Sequence, residues 1–385
     1  MTGLTIGLDA SNLRGGGGVT HVTQLLSNAS PRDHGIERIV VWGNSELLTR
    51  LPDTEWLDRV PVAALRRNIV SRSYWQTVRL PKALREHGCD GLFAPGSYVS
   101  PRCSVPAVVM QQNQLVFEPA EAARYHALSY TRFRLAILRR VQIESIQRSR
   151  GLICLTRYAR DVILPQMSRQ PRNVAVVPHG IEDRFFVEPR TARPLSDISD
   201  KNPFQLVYVS IVDVYKHQWT VAEAVGKLRR SNIPVQLTFV GPAYRPAHRR
   251  LEGIMRRIDP TGEFLHYTGP VPFDRVHEAY MDADAFVFAS SCETFSIILR
   301  EAMAAGLPIA CSNRGPMPEV LADAGVYFNP ESADDIARAI GQLIKNADQR
   351  DLLANRAYQR ARRYSWRTCA DDTLRFVGEC VGGGV

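Results

Sequence analysis

The sequence predicts an α/β protein of two domains, each a doubly wound parallel sheet, facing each other across a cleft. The chain has 385 residues, which suits two domains of ordinary size, and 45% of them are hydrophobic, which is enough for two cores. Short apolar runs ending in Gly, Pro, Asn or Ser alternate with stretches of helical period, as in sheets buried on both faces. A polar, proline-containing stretch at 182–203 divides the two sets of strands.

Each half of the chain contains six candidate strands. Those of the first half are LTIGLDA, RIVVWG, GLFAPG, AVVMQQN, GLICLT and VAVVPHG, and those of the second are FQLVYVSIV, VQLTFVGP, FLHYTGPV, AFVFAS, PIACSN and GVYFNP. We expect a first domain at 1–181, a linker at 182–203, a second domain at 204–365 and a last helix, 366–385, that returns to the first domain. Ligands of such sheets bind at the carboxyl ends of the strands, so the strand-to-helix turns are the places to search.

The composition narrows the classes of function. Seven cysteines are scattered singly without a CxxC pair, which favours reduced thiols in the cytoplasm over a disulfide or zinc framework. No apolar run reaches the roughly 18 residues of a membrane span. Residues 1–180 contain 23 basic and 13 acidic residues, a net charge of +10, whereas the remainder is near neutral. This asymmetry predicts an anionic surface or substrate for the first half, but no nucleic-acid recognition motif accompanies it.

Two turns have the composition of phosphate sites. Gly15 to Gly18 precede a helix expected to begin near Val19, and glycines let backbone amides approach a phosphate. Their spacing is neither GxGxxG nor a Walker loop, so a flexible loop is an equally good interpretation. The second turn contains Lys216, which is placed to reach a diphosphate as a point charge or to be an ordinary solvated lysine.

A third stretch, ETFSIILREAMAAG at 293–306, follows the apolar run AFVFAS. Its helix is expected to begin near Ser296 and to carry Glu301 among apolar neighbours at 297, 298, 304 and 305. A carboxylate there needs a hydrogen-bonding partner, because its desolvation costs several kcal/mol. The partner is either the hydroxyls of a sugar-like ligand, which the first amides of the helix would also hold, or a group of the protein such as Arg300, Arg314 or a backbone amide.

The E-x7-E spacing of ETFSIILRE, followed by AMAAGLPIACSNRGPMPEVLADAGVYFNP, resembles the nucleotide-sugar site of family 4 glycosyltransferases with the GT-B fold. RGGGGVTHV, VVPHGIEDRF, YKHQWTVAEAV, FVGP, YTGPV and YSWRTCADDTLRFV also resemble segments of that family. The resemblance covers most of the second half and scattered points of the first, and within the family the chain is similar to bacterial O-antigen and capsule mannosyltransferases. It implies a retaining, metal-independent hexosyltransferase without a carboxylate nucleophile.

The resemblance also implies roles for individual residues. Glu301 would bind the ribose hydroxyls of the nucleotide, Glu293 the hydroxyls of the transferred sugar, and Lys216 the diphosphate. The remaining donor-binding residues would be Gly16 and Gly17 on the diphosphate, Thr294, Phe295, Ser296 and Ile297 on sugar and phosphate, and Pro270 and Val271 beside the base. Gln112 and Asn113 would join Glu293 and Lys216 as catalytic residues, at the strand end where relatives often have a histidine and this chain reads MQQNQ.

The chain departs from the family at further points. Many relatives have an arginine five residues before the lysine, where this chain has Ile211, and either Arg245 or Arg14 is a candidate replacement. His21 and His179 are other candidates for the anomeric centre, or are structural. Asp282 and Asp284 form a DAD that resembles a metal-binding DxD, but it precedes its strand and is expected to be a surface or capping pair; no metal is expected.

Residues 124–150 contain seven arginines and no lysine. Arg132, Arg134, Arg139 and Arg140 alternate with the apolar residues Leu128, Leu135, Leu138 and Ile143. This pattern predicts a basic amphipathic helix on an anionic membrane or at the acceptor, and an ordinary domain helix with solvated arginines is the alternative.

The expected function is transfer of a hexose, with mannose from GDP-mannose as the best candidate, to a lipid-linked or oligosaccharide acceptor in bacterial surface polysaccharide synthesis. The enzyme would be cytoplasmic, at the inner face of the membrane. Two alternatives remain. One is a nucleotide-sugar epimerase on the same fold, for which MQQNQ offers no acid or base. The other is a non-catalytic partner that binds a nucleotide sugar or a lipid.

Overall fold

The computed structural model describes residues 3–13, 16–66 and 69–383. These residues form two compact units. The first unit consists of the described residues in Met1–Ala122, Ala127–Gly180 and Tyr364–Val385, and the second of Ala123–His126 and Ile181–Arg363. Each unit contains one sheet, and every strand pair in both sheets is parallel, which confirms the predicted fold class.

The sheet of the first unit has seven strands in the order β3-β2-β1-β4-β5-β6-β7. They are β1 Leu4–Asp9, β2 Ile36–Gly43, β3 Leu57–Pro61, β4 Gly91–Ala94, β5 Ala107–Gln111, β6 Gly151–Cys154 and β7 Asn173–Val176. Six strands were predicted here, and β3, with the sequence LDRVP, was missed. It is an edge strand in which only Leu57 is buried and the other four residues are half-buried or exposed, so it lacks the continuous apolar run that marks a strand buried on both faces.

The sheet of the second unit has the six predicted strands in the order β10-β9-β8-β11-β12-β13. They are β8 Phe204–Val209, β9 Val235–Val240, β10 Leu265–Gly269, β11 Ala285–Phe288, β12 Ile309–Ser312 and β13 Val326–Phe328. All four residues of β11 and all four of β12 are buried, as expected for central strands covered on both faces. The strand order reverses between β8 and β11, which is where ligands of doubly wound sheets bind.

Helices connect the strands in both units. Those of the first unit are α1 Gly17–Ser27, α2 Ser45–Leu48, α3 Ile69–Tyr74, α4 Leu80–Glu86, α5 Pro119–Ala122, α6 Tyr130–Arg148, α7 Arg157–Ile163 and, after the second unit, α15 Trp366–Gly382, with a π-helical turn at Trp75–Arg79. Those of the second unit are α8 Gln218–Arg230, α9 Arg245–Ile258, α10 Glu278–Met281, α11 Ile297–Ala304, α12 Met317–Leu321, α13 Ala333–Lys345 and α14 Ala347–Ala361. Short 3-10 turns lie at Pro31–His34, Ala63–Arg66, Gln114–Phe117, Leu164–Gln166, Asp183–Phe185, Leu195–Asp197 and Phe273–Arg275.

Residues 182–203, which we expected to form a linker, are grouped with the second unit. Their contacts explain this grouping, because the amide of Val187 donates to the carbonyl of Ala304 at 3.0 Å and Arg193 forms an ion pair with Asp284. The Asp284 carboxylate also accepts from the backbone amide of Gln205 at 2.8 Å. Asp284 therefore binds both Arg193 and the start of β8, a structural role that goes beyond the surface or capping role that we expected.

Helix α15 is grouped with the first unit, where it packs on α1 and on strands β5 and β6. Gly180 makes this close packing possible, because a Cβ there would lie 2.3 Å from the backbone nitrogen of Trp366. Within the described residues, no helix is both long enough and apolar enough to cross a bilayer.

Candidate active site

The second unit places two predicted site residues at adjacent strand ends. Strands β8 and β11 pair directly, and the loops at their carboxyl ends carry Lys216 and Glu293. The amide of Ser291 donates to the carbonyl of Tyr215 at 2.8 Å, so the two loops are hydrogen-bonded to each other. The strand pairing thus brings together residues that lie 77 positions apart in the sequence.

Lys216 and Glu293 form an ion pair inside the second unit. The lysine is only 3% exposed, and its ammonium lies 5.2 Å and 5.1 Å from the ring centroids of Tyr215 and Phe288. The Ser290 hydroxyl donates to the same carboxylate oxygen, Oε1 of Glu293, at 2.6 Å. Removal of one partner of a buried ion pair has a large free-energy cost, because the other charge is left without a partner. A ligand that carries a matching charge can take the place of either partner. Sequence reasoning did not identify Ser290.

Two non-glycine residues at this edge adopt left-handed backbone conformations. His217 has φ 51° and precedes α8, and Ser296 has φ 56° and precedes α11. The His217 ring nitrogen Nε2 lies 2.9 Å from the Ser291 hydroxyl. Left-handed backbone at such residues costs on the order of 1–3 kcal/mol each and concentrates at functional sites.

The first turn of α11 begins at Ile297, directly after Ser296 as predicted. The Phe295 side chain is buried, and the Arg300 guanidinium lies 3.4 Å from its ring centroid. The ring is therefore part of the core, and what Phe295 offers a ligand is its backbone amide. The half-buried Thr294, with Ser296 and Ile297, continues this set of amides at a helix N-terminus, where an anion is favoured.

Glu301 has a protein partner that the sequence did not indicate. The Tyr280 hydroxyl donates to its Oε2 at 3.0 Å, and among the described residues this is the only hydrogen bond of the carboxylate. Burial raises the pKa of Glu301 to about 7, although this hydrogen bond and the charge of Arg300 both lower it. The side chain keeps 7% of its surface accessible. Of the protein partners that we expected, Arg300 acts on Glu301 through its charge while its guanidinium stacks on the Phe295 ring, and the Arg314 side chain is exposed.

Two family models match this chain, one in each half. Residues 15–185 match the family model "Glycosyltransferase Family 4", and residues 194–360 match the model "Glycosyl transferases group 1". The chain belongs to the family 4 glycosyltransferases.

Two curated relatives illustrate the range of the family. The O-antigen chain mannosyltransferase B of Escherichia coli is 33% identical over 111 residues, which are 29% of this chain and 29% of that protein. The sulfoquinovosyl transferase SQD2 of Arabidopsis thaliana is 26% identical over 200 residues, which are 51% of this chain and 37% of that protein. The chain thus spans about a third of the length of these relatives.

Solved structures agree with the GT-B fold. HepE of Anabaena, crystallised with UDP, superposes with a TM-score of 0.70 at 16% identity over 97% of this chain and 99% of its own. WaaG, described as a glycosyltransferase of lipopolysaccharide biosynthesis, gives a TM-score of 0.67 at 14% identity over 97% of this chain and 99% of its own.

In this family 4 glycosyltransferase, the residues expected beside the base lie after β10. Pro270 is exposed, and Val271 is half-buried on the wall of a cavity of about 380 Å³. Its other walls come from β8, β9, β10, α10 and the residues on either side of α10, and not from the Lys216 and Glu293 loops. Arg245, a candidate replacement for the arginine absent at Ile211, is exposed at the first position of α9.

In the first unit, helix α1 begins at Gly17, two residues before the expected start at Val19. Gly16 precedes it with φ 64°, a conformation that favours glycine. The early start places Gly17 in the first turn, so its amide points out of the helix N-terminus. Arg14 and Gly15 lie outside the described residues.

The predicted strand-end residues Gln112 and Asn113 differ in their surroundings. Asn113 is exposed, and its carbonyl accepts from the Gln111 side chain at 2.8 Å. The Gln112 amide nitrogen lies 3.2 Å from Nδ1 of His21. Burial lowers the pKa of His21 to about 3, so the ring is neutral and Nδ1 can accept from the Gln112 amide. Gln112 therefore has a fixed orientation at the carboxyl end of β5.

His21 and His179 are both buried, and their rings stack with centroids 4.4 Å apart. The ring of Trp366 stacks on His179 at 5.4 Å. Because His21 is neutral and fully buried, it is a poor general base, and its contact with Gln112 makes it a support for the strand end.

Helix α6 begins at Tyr130 and ends at Arg148, so it is shorter than the predicted stretch. The apolar pattern also differs from the expected one: Leu135 is buried, and Leu138 and Ile143 are half-buried. Of the four arginines, Arg134 and Arg140 are exposed and Arg132 is half-buried, whereas Arg139 donates to the Gln166 side chain at 2.8 Å. The exposed apolar side chains of this region are Leu128, Tyr130, Phe133 and Ile137.

Proposed function

We propose that this family 4 chain is a retaining glycosyltransferase that moves a hexose from a nucleotide sugar to a lipid-linked or oligosaccharide acceptor in bacterial surface polysaccharide synthesis. Mannose from GDP-mannose is the first candidate, because an O-antigen mannosyltransferase is among the relatives. The observation that carries the proposal is the buried Glu301, whose single hydrogen bond from Tyr280 leaves acceptor capacity for two ribose hydroxyls. UDP in the HepE structure is consistent with a nucleotide ligand for this fold.

The ion pair of Lys216 and Glu293 suggests how the donor binds. The donor diphosphate replaces Glu293 as the partner of Lys216, and the released carboxylate accepts hydrogen bonds from the hydroxyls of the sugar. Lys216 and the amides of the first turn of α11 then stabilise the leaving diphosphate, without a metal ion. The bond between the sugar carbon and the diphosphate breaks, a bond to the acceptor oxygen forms, and the acceptor proton passes to a donor phosphate oxygen. Gln112 contributes a neutral hydrogen bond.

The first experiment is a thermal-shift screen against GDP, UDP, ADP and CMP in EDTA. One stabilising nucleotide identifies the base, because a ligand that binds only the native state raises the melting temperature. The matching nucleotide sugars are then assayed for hydrolysis and for a changed sugar. Binding without turnover would favour the non-catalytic partner, and an epimerised sugar would favour the epimerase. No response to any nucleotide would refute the proposed donor site.

Two variants separate binding from transfer. Lys216→Ala should weaken nucleoside diphosphate binding at least about tenfold, the effect of losing a charge-assisted hydrogen bond. Glu293→Gln should leave that binding unchanged or tighter, since it removes the competing carboxylate, while donor turnover falls by about a hundredfold. Lys201→Ala, at an exposed lysine of the same unit, is the matched control. Equal losses of nucleotide affinity in both site variants would contradict the exchange of partners.

The exposed face of α6 supports a further part of the proposal, which is binding at the inner face of the cytoplasmic membrane. Phe133 on α6 is 65% exposed, Leu128 just before the helix is 91% exposed, and Arg134 and Arg140 on α6 are also exposed. An apolar face with arginines matches an anionic bilayer. The test is co-sedimentation with phosphatidylglycerol-containing vesicles and with phosphatidylcholine vesicles. Phe133→Ser should reduce binding to the anionic vesicles, and Phe273→Ser, at an exposed residue of the second unit, should not.

A further inference from the structure

We propose that a pocket of arginines on the first unit binds a ligand that carries phosphate groups. The pocket has a volume of about 410 Å³, within the range of roughly 300–1,000 Å³ that is usual for small-molecule sites. It is lined by Val105, Pro106, Ala107, Gln147, Arg148, Ser149, Arg150, Arg169, Gln170 and Arg172. The proposal does not rest on the proposed function.

The pocket lies at the edge of the sheet where the strands begin. Ala107 is the first residue of β5, Arg150 directly precedes β6, and Arg172 directly precedes β7. Substrates of doubly wound sheets bind at the opposite edge, where the strands end. The pocket is therefore separate from the strand end that carries Gln112 and from the glycine turn before α1.

The charge of the pocket is largely uncompensated. Among the described residues, neither Arg169 nor Arg172 has a carboxylate partner, and no carboxylate lines the pocket. Arg148 shares Glu144 with Arg140, at 3.3 Å and 3.4 Å, so one carboxylate serves two guanidinium groups. Four like charges around one concavity repel one another, and a bound anion removes that repulsion.

Contacts within the first unit explain the positions of two of the four arginines, and do not explain those of the other two. Arg148 is the last residue of α6, where a cation is stabilised by the free carbonyls of the helix end. Arg150 is fixed in the sheet by its backbone amide, which donates to the Ala107 carbonyl at 2.8 Å, and its guanidinium donates to the Gly383 carbonyl at 3.2 Å. Neither explanation applies to Arg169 or Arg172, which follow α7 and face the same pocket.

The chemistry of the pocket favours phosphate over other anions. A guanidinium group is planar and binds phosphate oxygens through two parallel hydrogen bonds, so several of them together suit a ligand with more than one negative charge. No aromatic side chain lines the pocket, so it lacks the stacking surface on which single-stranded nucleic acids bind. Such a phosphate group belongs either to a free diphosphate or to the headgroup of an anionic lipid.

Isothermal titration with inorganic pyrophosphate tests the proposal. The Arg169→Gln, Arg172→Gln double variant should bind pyrophosphate at this site at least about tenfold more weakly than the wild type. Both side chains are exposed, so the melting temperature without ligand should not change. The control, Arg85→Gln with Arg102→Gln, removes the same charge from exposed positions of the same unit and should retain the binding. A pyrophosphate site that requires Lys216 instead belongs to the donor site and is identified by the Lys216→Ala variant.

Vesicles of phosphatidylcholine with phosphatidic acid distinguish the two sources of phosphate. If the double variant loses vesicle binding and pyrophosphate competes with the vesicles in the wild type, the ligand is a lipid headgroup. If the double variant keeps vesicle binding but loses pyrophosphate binding, the ligand is a free anion. Equal pyrophosphate affinity in the wild type, the double variant and the control would overturn the proposal.

Discussion

Replacement of Glu301 by Gln should change stability and nucleotide binding in opposite directions. Burial raises the pKa of this carboxyl from 4.5 to about 7, which corresponds to about 3 kcal/mol between the protonated and ionised forms. The folded state therefore holds the proton more tightly than the unfolded state, and the free energy of unfolding falls as pH rises from about 4.5 to about 7. Gln cannot ionise, so the variant should be more stable than the wild type at pH 8 by up to about 3 kcal/mol and similar to it at pH 4.

Nucleotide binding should show the reverse effect. Ribose hydroxyls donate to the ionised carboxylate, so the wild type should bind a nucleotide about tenfold more tightly at pH 8 than at pH 6, as the ionised fraction rises through a pKa of about 7. Glu301→Gln should bind about 5- to 150-fold more weakly at pH 8, the effect of about 1–3 kcal/mol for a charge-assisted hydrogen bond. It should retain only the pH dependence of the nucleotide itself, so titration of the same nucleotide against both proteins isolates the contribution of the carboxyl.

Urea unfolding at pH 4, 6 and 8 and calorimetric titration of the nucleotide at pH 6, 7 and 8 measure these effects. Tyr280→Phe is the sharper control, because the Tyr280 hydroxyl lowers the Glu301 pKa through its 3.0 Å hydrogen bond. Its loss should move the midpoint of the binding curve to higher pH without abolishing the pH dependence. If the wild type and Glu301→Gln have the same pH dependence of nucleotide affinity, Glu301 does not contact the ribose.

Two further substitutions test the first unit. Gly180→Ala should lower the free energy of unfolding, measured in urea, by about 1–3 kcal/mol or more, because the new Cβ would lie 2.3 Å from the Trp366 nitrogen. The control is Gly253→Ala in α9 of the second unit. No atom lies within 4 Å of its new Cβ, so this substitution should be neutral or stabilising. His21→Asn keeps a hydrogen-bond acceptor near the position of Nδ1 for the Gln112 amide, whereas His21→Leu removes it. The Asn variant should therefore retain a higher turnover number than the Leu variant, with a similar KM for the donor in both. Equal turnover numbers would show that Gln112 does not need this support.

Twelve of the strands and their assembly into two parallel sheets were accessible to sequence reasoning, because buried parallel strands are apolar along their whole length. The order of the strands within each sheet was not predicted and comes from the structure. The run AFVFAS begins with β11 at Ala285 and extends two residues beyond its end at Phe288, and the helix after it begins at Ile297, one residue after the expected Ser296. The edge strand LDRVP was missed because one of its faces is more exposed and its pattern is not that of a buried strand. The start of α1 was placed two residues late, because glycines are poor helix formers and only the backbone reveals that Gly17 is helical.

The candidate site was predictable as a set of residues but not as a set of contacts. The carboxylates Glu293 and Glu301 stand out because charged residues are costly in apolar surroundings. Their partners do not, since Tyr280 comes from a short helix 21 residues earlier and Lys216 from a strand end 77 residues earlier. Neither separation is encoded by helical or strand period. The pairing of β8 with β11 brings Lys216 to Glu293, and the hydrogen bond from Tyr280 to Glu301 joins α10 to α11, so both contacts are identified only by the tertiary structure.

Several features that cost free energy are concentrated at the carboxyl ends of β8 and β11. An ion pair that is nearly buried, a carboxyl whose pKa is about 7 and two left-handed non-glycine residues all lie in the loops and helices that follow β8 and β11. Each of these features has a free-energy cost that the fully buried strands beside them offset. A nucleotide sugar would reduce two of these costs at once, because its diphosphate can bind Lys216 and its ribose can bind the ionised Glu301. The stabilisation on nucleotide binding should therefore exceed that of the isolated pyrophosphate group, since only the nucleotide reaches both residues.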